Sequence, residues 1–448
     1  MNIAIIGTGI SGLAAAWCLA RRHAVTLYEK DPHPGGHCRT VEVRIARGTL
    51  AIDTGFIVCN PVNYPNFYHL LDELGVARQD SDMSLGVSVA DGAVEWCGSD
   101  NPLQLFAQPR LLFSARHLSM LGAVLRFNRQ CKSLLARDAL PAIALGDFLD
   151  RHGYPAAFKL RYVAAMAGPI WSASTREVMA FPFPAFVRFF AAHGLLNVWQ
   201  RPRWQTVAGG SRVYVERLLA EFVSRGGVLR LGCNVRKLQR TARGVDLHDG
   251  TDSARYDAVV CAAHADQALR LTADASAEER AVLAAIPYTR NTAALHTDAS
   301  LMPRRRAAWG AWNALLAQDA LSDAPIAVSY WMNRLQRLPG ERDYFVSLNP
   351  PRPPRPETVL FQTEFEHPQY GATALAAWER LPTIQGRGGL WWAGAWCGYG
   401  FHEDGLKSAL ACVAGIDRDC LPRWARPAAA DKATADDRSL AQRALEQA

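Results

Sequence analysis

The first thirty residues constrain the fold more than any other stretch. Residues 2–6 are apolar, Gly7-Thr-Gly9-Ile10-Ser11-Gly12 follows, an alanine-rich run reaches residue 20, and a second apolar run from Ala24 ends in Glu29. A GxGxxG turn between a strand and a helix, with an acid closing the next strand, is the pattern of a dinucleotide site. Gly7 is expected to allow the tight turn, Gly9 the close approach of a pyrophosphate, and Gly12 the packing of helix on sheet. Ile10 and Ser11 open the helix, whose free N–H groups and positive dipole end suit phosphate. Glu29 is placed to accept bonds from ribose hydroxyls, and its charge disfavours the 2′-phosphate of NADP.

At 448 residues with 49% hydrophobic content, the chain has room for two domains built from interleaved segments. A net charge of +7 reads as scattered basic residues with short clusters such as Arg304-Arg305-Arg306, which gives a nucleic-acid role little support. A face that meets anionic lipid stays open. The ten cysteines show no CxxC pair and read as reduced buried thiols in a cytoplasm. His33, His37 and Cys38 crowd together but flank Gly35-Gly36, so no metal is expected there. The apolar N-terminus lacks a basic leader and carries the glycine turn, so it reads as fold rather than as a signal or anchor.

A second glycine turn, Gly35-Gly36-His37-Cys38-Arg39-Thr40, directly follows Glu29-Lys30. That favours FAD over NAD, because the longer cofactor runs on past its pyrophosphate. Leu50-Ala-Ile-Asp53-Thr54-Gly55-Phe56-Ile57 then gives a strand and turn expected beside the ribityl chain or flavin ring. With these, Tyr64-Pro-Asn66, Ser81-Asp-Met-Ser84, Ile170-Trp-Ser172, His193-Gly-Leu-Leu196 and Gly209-Gly-Ser211 make the resemblance specific. To about residue 415 the chain resembles the flavin-containing amine oxidoreductase superfamily, with its carotenoid desaturases and protoporphyrinogen oxidases. Within it the chain is most similar to a bacterial group of NAD/FAD-binding proteins linked to fatty-acyl modification. One departure is His37, where the superfamily usually has arginine; Arg39 is expected to supply the charge.

The resemblance implies an α/β fold: a glutathione-reductase-type Rossmann FAD domain from residues 1–75, 205–270 and 385–420, and an α+β substrate domain from 76–204 and 271–384. The substrate domain should carry an antiparallel sheet and helices, with 421–448 a flexible tail. Strands are read at Tyr288–His296, 326–332 and 344–348 from their alternation. Apolar helices edged with arginines are read at 105–113 and 118–129, and aromatic-rich, cationic stretches at 181–190 and 199–204. Their faces read first as core, and more sharply as an apolar tunnel whose mouth rests on a membrane surface. Further contacts implied for FAD are Lys30, Gly36, Thr40, Thr54 to Ile57, the Val235 backbone at the adenine edge, Ala262, Gly394, Ala395, Glu403, Asp404 and Leu406. The helix after Phe401 should aim its N-terminus at the flavin pyrimidine.

The expected chemistry is hydride transfer between the flavin and a long apolar substrate, a desaturase-like action on a fatty-acyl chain. His402, at the aromatic-cage position, is the first candidate for a base or orienting group, with Tyr64 and Glu403 behind it. The lysine that amine oxidases carry counts to Ala293 from Pro287, which argues against standard amine oxidation. The alternatives are a flavin amine oxidase and a non-catalytic FAD-containing lipid-binding module. The expected setting is cytoplasmic or peripheral on the inner membrane face, with a small-molecule or lipid substrate.

Overall fold

The structure is a computed structural model that describes residues 1–46, 48–197, 202–317 and 320–426. Its centre is a five-stranded parallel sheet in the order Val228–Arg230, Ala24–Tyr28, Asn2–Ile6, Ala258–Cys261, Leu390–Trp392. The middle strands read as unbroken apolar runs because both faces are covered. Ile3 and Ile5 point into one core with Ala258 and Val260. Ala4 and Ile6 point into the other with Val259 and Cys261.

Three helices cover the first face: Ile10–Leu19, Arg212–Ser224 and the closing helix His402–Asp417. Ser11 Oγ donates to the Gly405 carbonyl at 2.9 Å, so residues from opposite ends of the chain meet here. The second face carries the antiparallel meander Lys237–Thr241, Gly244–His248, Ser253–Tyr256. Its core is continuous with that of a larger sheet and the helices of residues 115–192.

That sheet, the largest of the five, has seven strands in the order Val359–Pro368, Tyr288–His296, Phe345–Leu348, Ala327–Trp331, Trp312–Leu316, Leu85–Val89, Val94–Gly98. Its strands pair antiparallel, the three expected ones included, except that Trp312–Leu316 runs parallel to Leu85–Val89, which makes the whole sheet mixed. The reason is topological, since these strands arrive from separate chain segments and are not bound by hairpin geometry. The strands read at 288, 326 and 344 form as expected.

The helix expected over 105–113 does not form. Pro109 has no N–H to donate, and the stretch divides into the short 3-10 helices Pro102–Phe106 and Pro109–Phe113. The long helix Ala115–Ala136 begins only after Ser114, whose side chain accepts from the His117 N–H. Residues 421–426 pack rather than fray: Leu421 is 3% exposed, and Trp424 Nε1 donates to Glu73 at 2.7 Å. The remainder of the expected tail, 427–448, lies outside the described residues, as do Trp199, Gln200 and Arg201 of the aromatic stretch. Among the described residues no helix is long and apolar enough to cross a membrane.

Candidate active site

The glycine turns behave as separate devices. Gly7 has φ +97°, and a Cβ there would meet the Ala262 carbonyl at 2.9 Å. Gly12 lets the helix lie against the turn, because a Cβ would fall 1.8 Å from the Gly7 carbonyl. At Gly9 a Cβ would meet nothing within 4 Å. Gly9 thus borders open space, directly before a helix whose first N–H groups no side chain caps.

That space is part of a cavity of about 1270 Å³ running from the first βα turn, past the second glycine turn, to the seven-stranded sheet and the residues before the closing helix. Its wall includes Gly7, Gly9, Ile10, Ser11, Glu29 and Lys30. Gly36, His37, Arg39, Thr54, Gly55 and Phe56 continue it. Val235, Ala262, Gly394, Ala395, Tyr64 and His402 also lie on it. Glu29 is 7% exposed; its Oε2 accepts from the Thr8 N–H at 2.8 Å and the Thr8 hydroxyl at 2.5 Å, and its Oε1 from the Asp31 N–H at 3.0 Å. Arg39 holds its guanidinium 5.6 Å from the Phe361 ring.

Six expected residues stand off this wall. Gly12 serves packing. Thr40 donates to Asp53 at 2.6 Å, and that buried carboxylate also accepts from Ser211 and Gln336. Ile57 and Leu406 are core side chains at 8% and 1% exposure. Asp404 accepts from the Phe401 N–H at 3.0 Å and caps its own helix; burial pushes its carboxyl up to about 6. Glu403, expected as a catalytic residue, is a structural group. Its oxygens accept from the Asn66 N–H at 3.1 Å, the Asn66 amide at 2.6 Å and the Phe67 N–H at 3.0 Å. It therefore caps the neighbouring helix Pro65–Glu73, satisfying donors that helix leaves open.

His402 also differs from its expected setting. Its ring stacks on Phe56 with centroids 3.5 Å apart and planes 13° apart. Its Nε2 lies 3.0 Å from both Cys38 Sγ and the Tyr214 hydroxyl, facing protein. Burial lowers its pKa to about 3, so it is a neutral ring and a poor base near pH 7. Tyr64 is 3% exposed, and burial holds its phenol protonated, well above its ordinary pKa of 10.

Three wall histidines went unrecognised as a group: His37, His264 and His367. His37 stacks on Phe365 at 4.9 Å, with His367 at 5.5 Å and His264 at 6.2 Å. Ser172 Oγ lies 2.8 Å from His367 Nδ1, and Ser172 itself has φ +52°. Glu366 Oε2 lies 3.2 Å from His264 Nδ1. Burial lowers the pKa of all three, that of His367 to about 4. Alternation along Val359–Pro368 was the available signal, since Phe365 and His367 share a face. Ala293, the counted lysine position, is 1% exposed and lies between Thr363 and Leu348, two wall residues, on the same face as Phe365 and His367. Among the described residues the wall does carry one lysine, Lys30, beside Glu29.

The likenesses to known proteins agree with this architecture. At 16% identity, the chain superposes on a conjugated-linoleic-acid-producing fatty acid isomerase from P. acnes over 93% of its length and 98% of that chain, TM-score 0.62. Putrescine oxidase bound to putrescine matches at 14% identity over 93% and 99% of the two chains, TM-score 0.63. Cyclohexylamine oxidase from Brevibacterium oxydans IH-35A matches at 16% identity over 93% and 99%, TM-score 0.61. At such identities these likenesses concern the fold. No curated protein matches significantly in sequence. The protein is an FAD-dependent oxidoreductase. Residues 10–297 match the profile of the flavin-containing amine oxidoreductases, and the chain belongs to that family.

Proposed function

We propose that this enzyme carries out a redox step on a long apolar chain, a fatty-acyl chain of a lipid, with FAD held in the cavity described above. The observation that carries the reading is the far wall of that cavity. Ile170, Trp171, Tyr330, Leu348, Tyr399 and Phe401 give it an aliphatic and aromatic lining. Glu366, one of the two glutamates there, is engaged by Arg290 at 3.3 Å and by His264. An alkyl chain gains about 0.8 kcal/mol for each CH₂ buried against such a wall.

The residues present fit FAD. The Gly7–Ser11 turn and the uncapped helix start would take the pyrophosphate, and Glu29 the ribose hydroxyls. The Val235 backbone would meet the adenine edge. Thr54 to Phe56, Gly394 and Ala395 would border the ring system. The start of the closing helix would put its positive end toward developing negative charge. When bound, FAD supplies a two-electron acceptor or donor for a C–H bond.

The protein's part is alignment and proton handling. His402, stacked on Phe56, is a fixed plate that shapes the wall. Tyr64 offers a protonated hydroxyl. His367, oriented by Ser172, and His264, oriented by Glu366, are neutral imidazoles that can give or accept a hydrogen bond and so orient the substrate's polar end. The division of the chain read from sequence is retained in this proposal: a cofactor half around the parallel sheet and a substrate half around the mixed sheet.

Amine oxidation is the second reading, favoured by the aromatic grouping of Trp396, Tyr399, Phe401 and His402 on the wall. A non-catalytic lipid-binding role is the third. Mass spectrometry of organic extracts from the purified yellow protein tests the first. Co-purifying acyl chains, displaced by added fatty acid, support it; a bound amine, or no acyl occupant and no fatty-acid binding, counts against it.

A further inference from the structure

A stretch free of acids, between Asp100 and Asp138, carries a series of exposed cations. Residues 101–137 hold Arg110, Arg116, Arg126, Arg129, Lys132 and Arg137 and no acid, with Asp100 and Asp138 directly beyond the two ends. All six cations are exposed.

The same stretch carries the most exposed apolar side chains of the described residues. Phe113 is 89% exposed and Leu103 is 76% exposed, both on the short 3-10 helices leading into the helix Ala115–Ala136. Leu118 and Leu125 continue the exposure on that helix. With Gly122 they follow a spacing of four and three residues, and Arg129 and Lys132 extend the same stripe. The helix thus presents one outward face that is apolar in its first half and cationic in its second. Isolated exposed leucines need no explanation, but a contiguous group rimmed by one sign of charge marks an interaction surface.

We infer that residues 102–132 dock the protein on an anionic phospholipid bilayer, with Leu103 and Phe113 entering the headgroup–acyl boundary and the cations pairing with lipid phosphates. Charge complementarity selects this partner. A second copy docked by the same face would set Arg129 and Lys132 against the same cations, whereas an anionic leaflet attracts both. Docking would bring a lipid-consuming enzyme to its substrate, but the inference does not rest on that. Vesicle binding without turnover of any lipid would leave it standing while removing the acyl-chain reading.

The test is co-sedimentation of the full-length, FAD-loaded protein with vesicles of equal parts phosphatidylglycerol and phosphatidylcholine, and with pure phosphatidylcholine. The expected result is pelleting with the mixed vesicles, release at high salt, and at least about tenfold weaker binding for the Leu103→Ser/Phe113→Ser and Arg129→Glu/Lys132→Glu pairs. Flavin absorbance and melting temperature show that each variant is folded. No pelleting at low salt, equal binding to pure phosphatidylcholine, or unchanged binding in both folded variants would overturn the inference. So would a dimer in sedimentation velocity that Phe113→Ser dissolves, since the face would then be a contact between copies.

Discussion

At the scale of single residues, Glu403 and His402 show how neighbouring positions can take different tasks. Glu403 closes another helix with three accepted bonds, so its loss should be read in stability. Glu403→Gln sets an amide N–H₂ against backbone donors, and the account predicts a loss of about 1–3 kcal/mol in unfolding free energy. Turnover per bound flavin should be unchanged, as denaturant melts alongside flavin-normalised rates would show. His402 is expected to act as a ring. His402→Phe should keep FAD and near-normal turnover, whereas a proton-transfer role requires a fall of about 10²–10⁴-fold. Nothing in His-Glu-Asp as a string separates these roles, because the partners Asn66, Cys38 and Tyr214 lie far away in sequence.

At the scale of elements, the two glycines of the first helix make opposed predictions. Gly9→Ala places its methyl in space that no protein atom occupies, so the apoprotein should fold normally and bind FAD weakly. Gly12→Ala drives a methyl into the Gly7 carbonyl, so the fold itself should suffer. Thermal melts of the apoproteins, followed by FAD titration, separate the two effects. This first unit was legible because its devices are local: a turn, a helix start and a strand end within thirty residues. The hub at Asp53 was not, since it joins Thr40, Ser211 and Gln336 across nearly three hundred residues. The histidine wall was hidden likewise, with His37, His264 and His367 coming from three separate strands or turns. Pro109, lacking an N–H, is the visible signal in the sequence against a continuous helix over 105–113.

At the scale of the whole molecule, burial sets the response to acid. His37, His117, His193, His264, His296, His367 and His402 all have pKa values lowered by burial. A histidine of this kind binds fewer protons folded than unfolded. The stability it contributes is whole above about pH 6.5 and is lost as pH falls toward its folded value. Asp53 and Asp404, raised to about 6 by burial, act in the opposite sense: their protonated forms favour the fold as pH falls below about 6. Seven histidines outweigh two carboxyls, so the melting temperature should begin to fall on acidification near pH 6.5. A melting temperature that is flat or rising from pH 7 to 5 would show that these histidines are not buried as neutral rings.

The parallel sheet was readable in outline because its strands are short apolar runs next to glycine turns. The mixed character of the second sheet was not, because strand direction there depends on how distant segments meet. The substrate assignment rests on that second half of the molecule, on the wall from Ile170 to Phe401. Its most direct test is anaerobic titration of the purified FAD-loaded enzyme, following flavin absorbance with unsaturated and methyl-branched fatty acids or their phospholipids on one side and putrescine and cyclohexylamine on the other. The account predicts saturable changes in the flavin spectrum with the acyl chains and none with the amines; bleaching by an amine, with the acyl chains silent, would contradict it.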